Sequence, residues 1–266
     1  MSRIERAFAK AKSEHRAALI GYVCAGDPSF EVTEAVVLAM AEHCDIIELG
    51  VPFSDPTADG PVIQRASERA LKGGASMLGV LGLAARLRAQ RPDLALLLFG
   101  YANPILSMGE VVFLDRAAAS GIDGLLAVDL PFDEAIELRE GAGERGIDWI
   151  PLVAPTTTDT RARLIGEAAS GFVYLVSVAG VTGAGKVDFE GAASRADHIR
   201  ALTGKPVAVG FGVRTEADAR ALASGGVDGV VVGSALVAAI ESSSSTEDAV
   251  KRVSDLLASL ARGVRR

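Results

Sequence analysis

Two carboxylates close together in the sequence are the side chains of this chain best suited to chemistry. Glu48 lies within the apolar run Ile-Ile-Glu-Leu-Gly (46–50), where burying a carboxylate is costly unless its charge is used. Asp59 follows in the segment 51–64, between small residues and prolines that restrict the backbone. One carboxylate on a strand and one on a stiff loop at the same strand's end form a candidate general acid/base pair.

Lysine and histidine are poorly placed for catalysis. None of the lysines (Lys10, Lys12, Lys72, Lys186, Lys205 and Lys251) lies within a predicted strand, so a Schiff-base mechanism is not expected. His15 and His43 precede the first two predicted strands and His198 lies in a predicted helix, so neither a histidine base nor a histidine-ligated metal is expected. Carboxylates remain as the reacting groups, and we expect no metal or cofactor in this chain.

Two further carboxylates, Asp27 and Asp129, follow the first and fourth predicted strands. Each lies next to a proline or a helix entry, where aspartate commonly accepts hydrogen bonds from backbone amides. Turn stabilisation is therefore the favoured interpretation for both, with a catalytic role as the alternative.

Glycine-rich segments follow the last three predicted strands, at 181–185, 210–213 and 233–235. Glycine lets backbone N–H groups approach an anion closely, and a helix beginning near Ser234 would add its positive end. Each segment alone is typical of any strand–helix junction, but together they indicate a phosphorylated substrate.

Aromatic side chains make up only 5% of the chain, yet several fall at or beyond predicted strand ends. These are Tyr22, Phe53, Phe99, Tyr101, Tyr174 and Phe211. Their position indicates a flat apolar ligand, although packing at the rim of the fold is an alternative role.

Strands and helices alternate along the chain. Strands are predicted at 17–24, 45–49, 94–99, 124–128, 149–153, 171–177, 206–210 and 229–232, and amphipathic helices at 30–42, 77–89, 134–145, 158–168, 189–202, 216–223 and 247–261. This alternation predicts an α/β fold, a single-domain (β/α)8 TIM barrel spanning residues 1–266, with an extra N-terminal helix at 2–15 covering its bottom. Similar segments at 121–128 and 226–233 support the barrel, and a doubly wound open sheet is the alternative.

Composition excludes several classes of protein. Hydrophobic residues account for 49% and charged residues for 23%, and 27 basic against 34 acidic side chains give a net charge of −7. Nucleic acid is therefore not an expected partner. A charged start without an apolar core, no membrane-length apolar run, and two cysteines interpreted as buried free thiols together predict a cytoplasmic protein.

The chain resembles the tryptophan synthase alpha chain family. The resemblance is carried by Glu-Leu-Gly-Val-Pro-Phe-Ser-Asp-Pro-Thr-Ala-Asp-Gly-Pro (48–61), Gly-Asp-Pro (26–28), Tyr-Ala-Asn-Pro (101–104), Asp-Leu-Pro (129–131), Tyr174, Gly-Val-Thr-Gly (180–183) and Gly-Phe-Gly (210–212). It implies a lyase of tryptophan biosynthesis, which splits indole-3-glycerol phosphate into indole and glyceraldehyde 3-phosphate. It also implies a beta-chain partner that holds pyridoxal phosphate, in an alpha-beta-beta-alpha heterotetramer.

The resemblance also assigns roles to residues. Glu48 would carry protons to indole C3 and from the glycerol hydroxyl, and Asp59 would stabilise charge at the indole N–H. Substrate binding is implied for Tyr22, Phe99, Tyr101, Tyr174, Thr182, Gly183, Phe211, Gly212, Gly233 and Ser234, with Thr182 also closing over the site towards Asp59. Asp55 and Pro56 would face the beta chain.

Departures from the family pattern occur at Tyr22, Cys24, Thr57, Val178 and Ala179, and none of them replaces either carboxylate. Two alternatives remain open: a stand-alone indole-3-glycerol-phosphate lyase that releases free indole, and a catalytically weak chain that serves as an allosteric subunit. The presence of both Glu48 and Asp59 argues against the second.

Overall fold

The computed structural model describes residues 1–176, 188–210 and 212–266. Its strands are β1 (Ala18–Cys24), β2 (Ile46–Gly50), β3 (Ala95–Gly100), β4 (Gly124–Ala127), β5 (Asp148–Trp149), β6 (Leu152–Val153), β7 (Val173–Val176), β8 (Val207–Gly210) and β9 (Gly229–Val232). Its helices are α1 (Arg3–Ser13), α2 (Phe30–Met40), α3 (Pro61–Lys72), α4 (Met77–Gln90), α5 (Ala102–Met108), α6 (Glu110–Ala119), α7 (Ile136–Glu144), α8 (Asp159–Ala168), α9 (Phe189–Thr203), α10 (Glu216–Ser224), α11 (Ser234–Glu241) and α12 (Thr246–Gly263).

All paired strands run parallel, in the order β5-β4-β3-β2-β1-β9-β8-β7-β6. β5 and β6 are two parts of the fifth predicted strand, separated by Ile150 and Pro151. The Ile150 amide donates to the Leu125 carbonyl at 2.9 Å on one side, and the Pro151 carbonyl accepts from the Tyr174 amide at 3.0 Å on the other. The sheet therefore closes through this strand into an eight-stranded barrel, as the sequence predicts.

Two levels of side chains inside the barrel determine what surrounds Glu48. Parallel register places Glu48 beside Tyr22 of β1 and Leu97 of β3. Ile20 and Ile46 are paired two residues earlier and belong to the buried interior cluster. Because side chains alternate across a strand, Glu48 points into the interior at the next level above these two isoleucines.

Helix α1 closes the amino-terminal end of the barrel. Ile4, Phe8 and Ala11 are buried in the interior cluster, and the Phe8 ring lies 5.2 Å from the Phe172 ring. A Cβ on Gly124 would approach the Ile4 side chain to 2.7 Å. The barrel floor therefore contains a glycine because the plug helix needs that space, and the predicted role of the N-terminal helix is confirmed.

The two similar segments noted in the sequence have the same local structure. Asp123 accepts from the Leu96 amide and from Arg88, and Asp228 accepts from the Val207 amide and from Arg200. Asp45 makes the same pair of contacts, with the Leu19 amide and Arg16, although no glycine precedes it. The repeated pattern is therefore a helix–strand junction that holds the amino end of a strand through an aspartate and an arginine.

The structure adds helices that the sequence did not predict, namely α3, α5 and α6. Helix α3 begins at Pro61, directly after the loop that carries Asp59, because proline is well tolerated in the first helical turn. None of the helices in the described ranges combines the length and apolar character that a bilayer-spanning helix requires.

We expect Phe8→Ala to lower the free energy of unfolding by about 3–5 kcal/mol, because it leaves a cavity between α1 and the barrel floor. Leu78→Ala is the control, since Leu78 is 53% exposed on α4. Chemical denaturation of both variants measures the difference. Equal stability of the two variants would show that α1 is not part of the core.

Candidate active site

A cavity of about 760 Å³ opens at the carboxyl ends of the strands. Its size falls within the range of about 300–1,000 Å³ that is common for small-molecule sites. Both Glu48 and Asp59 line it. The structure thus brings the two predicted carboxylates to one site, at the end of the barrel where this fold places its reacting groups.

Glu48 is buried, with only 1% of its surface exposed. Among the described residues no donor lies within hydrogen-bonding distance of its Oε1 atom. Burial raises the pKa of Glu48 to about 8, because the surrounding apolar side chains disfavour the charged carboxylate. A buried, unpartnered oxygen that faces a cavity can bind or exchange a proton with a ligand there.

Asp59 is half-buried and is held by its neighbours. The Tyr101 hydroxyl donates to Asp59 Oδ2 at 2.9 Å and accepts from the Ala58 amide at 3.1 Å. Gln64 of α3 donates to the Asp59 carbonyl at 2.9 Å. Burial raises the pKa of Asp59, while the bond from Tyr101 acts in the opposite direction. Asp59 is thus fixed through both its side chain and its backbone.

The part of the cavity at the ends of β8 and β9 is suited to an anion. Gly212, Gly233 and Ser234 line it, and α11 begins at Ser234 without a side-chain cap at its N-terminus. By contrast, α10 begins with a full capping box formed by Thr215 and Asp218. Uncapped N–H groups and the positive helix end together favour a bound anion at α11.

Aromatic rings form part of the cavity wall. Tyr22, Phe99 and Tyr174 line it, and the rings of Tyr22 and Phe99 are in edge-on contact at 5.3 Å. Tyr101 is 3% exposed, contacts Asp59 and packs its ring 5.0 Å from the Phe53 ring. In the described structure Tyr101 thus supports Asp59, and its role in substrate binding stays a prediction.

The two residues predicted to face the beta chain do not line the cavity. Asp55 is exposed and Pro56 half-buried in the loop that precedes Asp59. Thr182, Gly183 and Phe211, predicted for substrate binding, and Val178 and Ala179 lie outside the described residues.

The expected bond from a backbone amide is present for Asp129, whereas the Asp27 carboxylate is bound by an arginine side chain instead. Asp27 is bound through both oxygens by Arg69 at 2.8 Å each, and Asp129 accepts from the Ala102 amide at the start of α5 at 2.7 Å. Asp129 also lines the cavity.

Sequence reasoning missed part of the cavity wall. Residues 130–132 after β4, Arg161 of α8 and Arg214 after β8 also line the cavity. Arg214 could have been found, because it follows Gly212 by two residues at a strand end. Arg161 could not, because it lies within a helix that the sequence describes only as amphipathic. In the part of the chain that the structure describes, no three His, Cys, Asp or Glu side chains form a group that could hold a metal.

Fold and site together define a (β/α)8 barrel with two carboxylates and an uncapped helix N-terminus around one cavity at the strand ends. The model of the tryptophan synthase alpha chain family matches residues 8–265. The tryptophan synthase alpha chain of Gluconacetobacter diazotrophicus is 47% identical over 271 aligned positions, covering 100% of this chain and 98% of the relative.

Solved structures agree. Tryptophan synthase subunit alpha from Legionella pneumophila superimposes with a TM-score of 0.92 at 34% identity, covering 99% of this chain and 98% of that one. A chain of tryptophan synthase from Mycobacterium tuberculosis, in its aminoacrylate-bound form, gives a TM-score of 0.88 at 37% identity, with 100% of both chains covered. The protein belongs to the tryptophan synthase alpha chain family, which supports a lyase role.

The raised pKa of Glu48 predicts how stability changes with pH. The pKa of a glutamate in the unfolded chain is about 4.3, whereas burial raises the pKa of Glu48 in the folded protein to about 8. Between these values the folded state binds one more proton than the unfolded state, so the free energy of unfolding falls as pH rises. We expect Glu48→Gln to gain stability relative to the wild type across this window, by on the order of 2–5 kcal/mol at its upper end. Urea unfolding across the window tests this, and a difference that is independent of pH would contradict the raised pKa.

Proposed function

We propose that this chain catalyses the alpha reaction of tryptophan synthase, the retro-aldol cleavage of indole-3-glycerol phosphate into indole and glyceraldehyde 3-phosphate. The observation that carries the proposal is the buried carboxylate of Glu48, which lines a cavity shared with Asp59 and the uncapped end of α11. Family membership supports the same reaction. We further propose that residues 1–266 act as one barrel domain and, from two buried free cysteines, that the protein is cytoplasmic.

The proposed reaction needs only proton transfers from the protein. With a pKa of about 8, Glu48 is protonated at neutral pH and donates its proton to indole C3, which gives an indolenine. The resulting Glu48 carboxylate accepts the proton of the glycerol hydroxyl on the carbon attached to C3. The C–C bond then breaks, its electron pair restores the indole ring, and the former alcohol carbon becomes the aldehyde.

Asp59 supports the charged intermediate. Its carboxylate accepts a hydrogen bond from the indole N–H and stabilises the positive charge on this nitrogen while the protonated indolenine exists. The Tyr101 hydroxyl holds Oδ2 of Asp59 for this contact. The phosphate binds at Gly212, Gly233 and Ser234, while Tyr22, Phe99 and Tyr174 contact the indole and glycerol parts, with Thr182, Gly183 and Phe211 proposed to complete the site.

Glu48→Gln and Asp59→Asn should each lower turnover of indole-3-glycerol phosphate by about 10²–10⁴-fold, because each removes a proton-transfer or charge-stabilising group. Asp115→Asn is the control, since Asp115 is exposed on α6 and pairs with Arg145. Indole release is measured, with circular dichroism to verify folding. Wild-type rates in either variant would remove that residue from the mechanism.

Gly233→Asp should weaken binding of glycerol 3-phosphate by at least about tenfold, through charge repulsion at the anion site. Gly233→Ala is the matched control, because its Cβ would lie 3.5 Å from Tyr22, an ordinary contact. Gly212 is less suitable, since its φ of 76° strains any side chain. Calorimetric titration gives both affinities, and equal binding by the two variants would place the phosphate elsewhere.

We also propose a beta-chain partner, which carries the pyridoxal phosphate, in an alpha-beta-beta-alpha heterotetramer. Support comes from the family and from exposed apolar side chains near the Asp59 loop. Leu106 of α5 and Val111 and Val112 of α6 are 56%, 64% and 48% exposed, and α5 begins directly after Tyr101. Apolar side chains grouped on a surface are typical of an interface. Asp55 and Pro56 would extend this interface.

Added beta chain should raise the rate of indole release several-fold, because contact at Asp55 and Pro56 would favour the productive position of Asp59. Turnover is measured against beta-chain concentration, and Val111→Asp should weaken the response. A beta chain that binds without changing the rate would favour a stand-alone lyase. A wild-type chain that binds but is inactive in both conditions would favour an allosteric subunit.

A further inference from the structure

Three charged side chains outside the cavity connect two helices that both begin at it, and a fourth joins one of these helices to the loop after β1. Arg65 and Arg69 lie one turn apart on α3, and Glu241 is the last residue of α11. Arg65 donates to both oxygens of Glu241 at 2.8 Å each, and Arg69 donates to Glu241 Oε1 at 2.7 Å. Arg69 also donates to both oxygens of Asp27. We call Arg65, Arg69, Glu241 and Asp27 the arginine clamp.

Each of the two helices joined by the clamp begins beside a different part of the cavity. Helix α3 begins at Pro61, two residues after Asp59, and its Gln64 donates to the carbonyls of Asp59 at 2.9 Å and of Pro56 at 3.4 Å. Helix α11 begins at Ser234, at the proposed phosphate end. A shift between the two helices would therefore change the position of the Asp59 backbone relative to the phosphate site.

The clamp is better defined than a single surface ion pair. Asp27 is only 2% exposed, so its charge requires the two bonds from Arg69. Glu241 lies at the negative end of α11, where a carboxylate is unfavourable unless cations neutralise it. Arg65 and then Arg69 hold the pKa of Glu241 at about 2. The paired bonds from each arginine also restrict the relative orientation of the groups.

Apolar packing beneath the clamp joins the same elements. Ala66 and Ala70 of α3 and Val237 of α11 form a buried cluster with Tyr22 and Cys24 of β1. The small alanines allow α3 to lie close to the barrel. The clamp therefore joins the same two helices as this apolar contact.

We propose that the arginine clamp positions Asp59 relative to the phosphate end of the cavity. The inference rests on the proposed function, for which it adds Arg65, Arg69 and Glu241 as positioning residues. Displacement of a reacting group by about 1 Å is enough to slow catalysis strongly. Because the proposed phosphate contacts are made at the N-terminus of α11, we expect them to remain in place when the clamp is broken.

Arg65→Gln and Glu241→Gln should each lower kcat for indole release by about three- to tenfold and leave KM within about twofold. Arg65→Lys should recover part of kcat, because it keeps the charge opposite Glu241. Arg86→Gln and Glu34→Gln are matched controls: this pair joins α4 and α2, and Arg86 and Arg65 are both 50% exposed. The controls should retain the wild-type kcat.

Amide hydrogen exchange provides a readout that does not depend on turnover. In the ligand-free protein, amides at 55–60 should exchange faster in both clamp variants than in the wild type and the controls. Unchanged exchange and kcat in the clamp variants, or equal changes in the controls, would overturn the inference. A wild-type chain that releases no indole would instead refute the proposed function, and the exchange of residues 55–60 would still decide whether the clamp orders this loop.

Discussion

Burial of the Glu48 carboxylate among apolar side chains is the constraint on which the site depends. The group lies on a barrel strand beside Tyr22 and Leu97 and is only 1% exposed, so water does little to solvate its charge. Its charged form is therefore disfavoured, and the folded protein gives up stability at this position. Stabilising features lie at the other end of the barrel, where α1 fills the floor and aspartate–arginine pairs hold the strand starts. Stability and chemistry thus occupy opposite ends of the same strands.

The environment of Asp59 differs from that of Glu48, because a hydrogen bond as well as burial affects its pKa. Glu48 lies on a strand and has no partner for Oε1 in the described ranges, so burial dominates its pKa. Asp59 lies on a loop, and a hydroxyl bond from Tyr101 favours its charged form against the effect of burial. Environments that treat two carboxyl groups differently allow one to act as an acid and the other to carry charge. The loop must then be held in place by hydrogen bonds and by α3.

Sequence reasoning predicted the barrel, the plug helix and the carboxylates because these depend on local patterns. Strand and helix periodicity is visible within a few residues, and Glu48 stands out because a carboxylate is unusual in an apolar strand. Contacts between distant residues leave no such pattern. Arg65 and Glu241 are 176 positions apart, and Tyr101 binds Asp59 across 42 positions. The break at Ile150 and Pro151 was also missed, because a short apolar run does not reveal which of its two neighbours each part will join.

Glycines occur at the strand ends for more than one physical reason, and this difference reduces the number of glycines that could form the anion site. A Cβ on Gly210 would lie 2.1 Å from the Tyr174 hydroxyl, and one on Gly50 would lie 2.2 Å from the Tyr22 hydroxyl. These two glycines are required because large rings occupy the adjacent space. Gly210 therefore does not need an anion to explain it, whereas Gly233 and the uncapped start of α11 have no such packing reason. In the sequence these glycines look alike. The structure divides them into glycines that lie against a tyrosine ring and glycines that are candidates for phosphate binding.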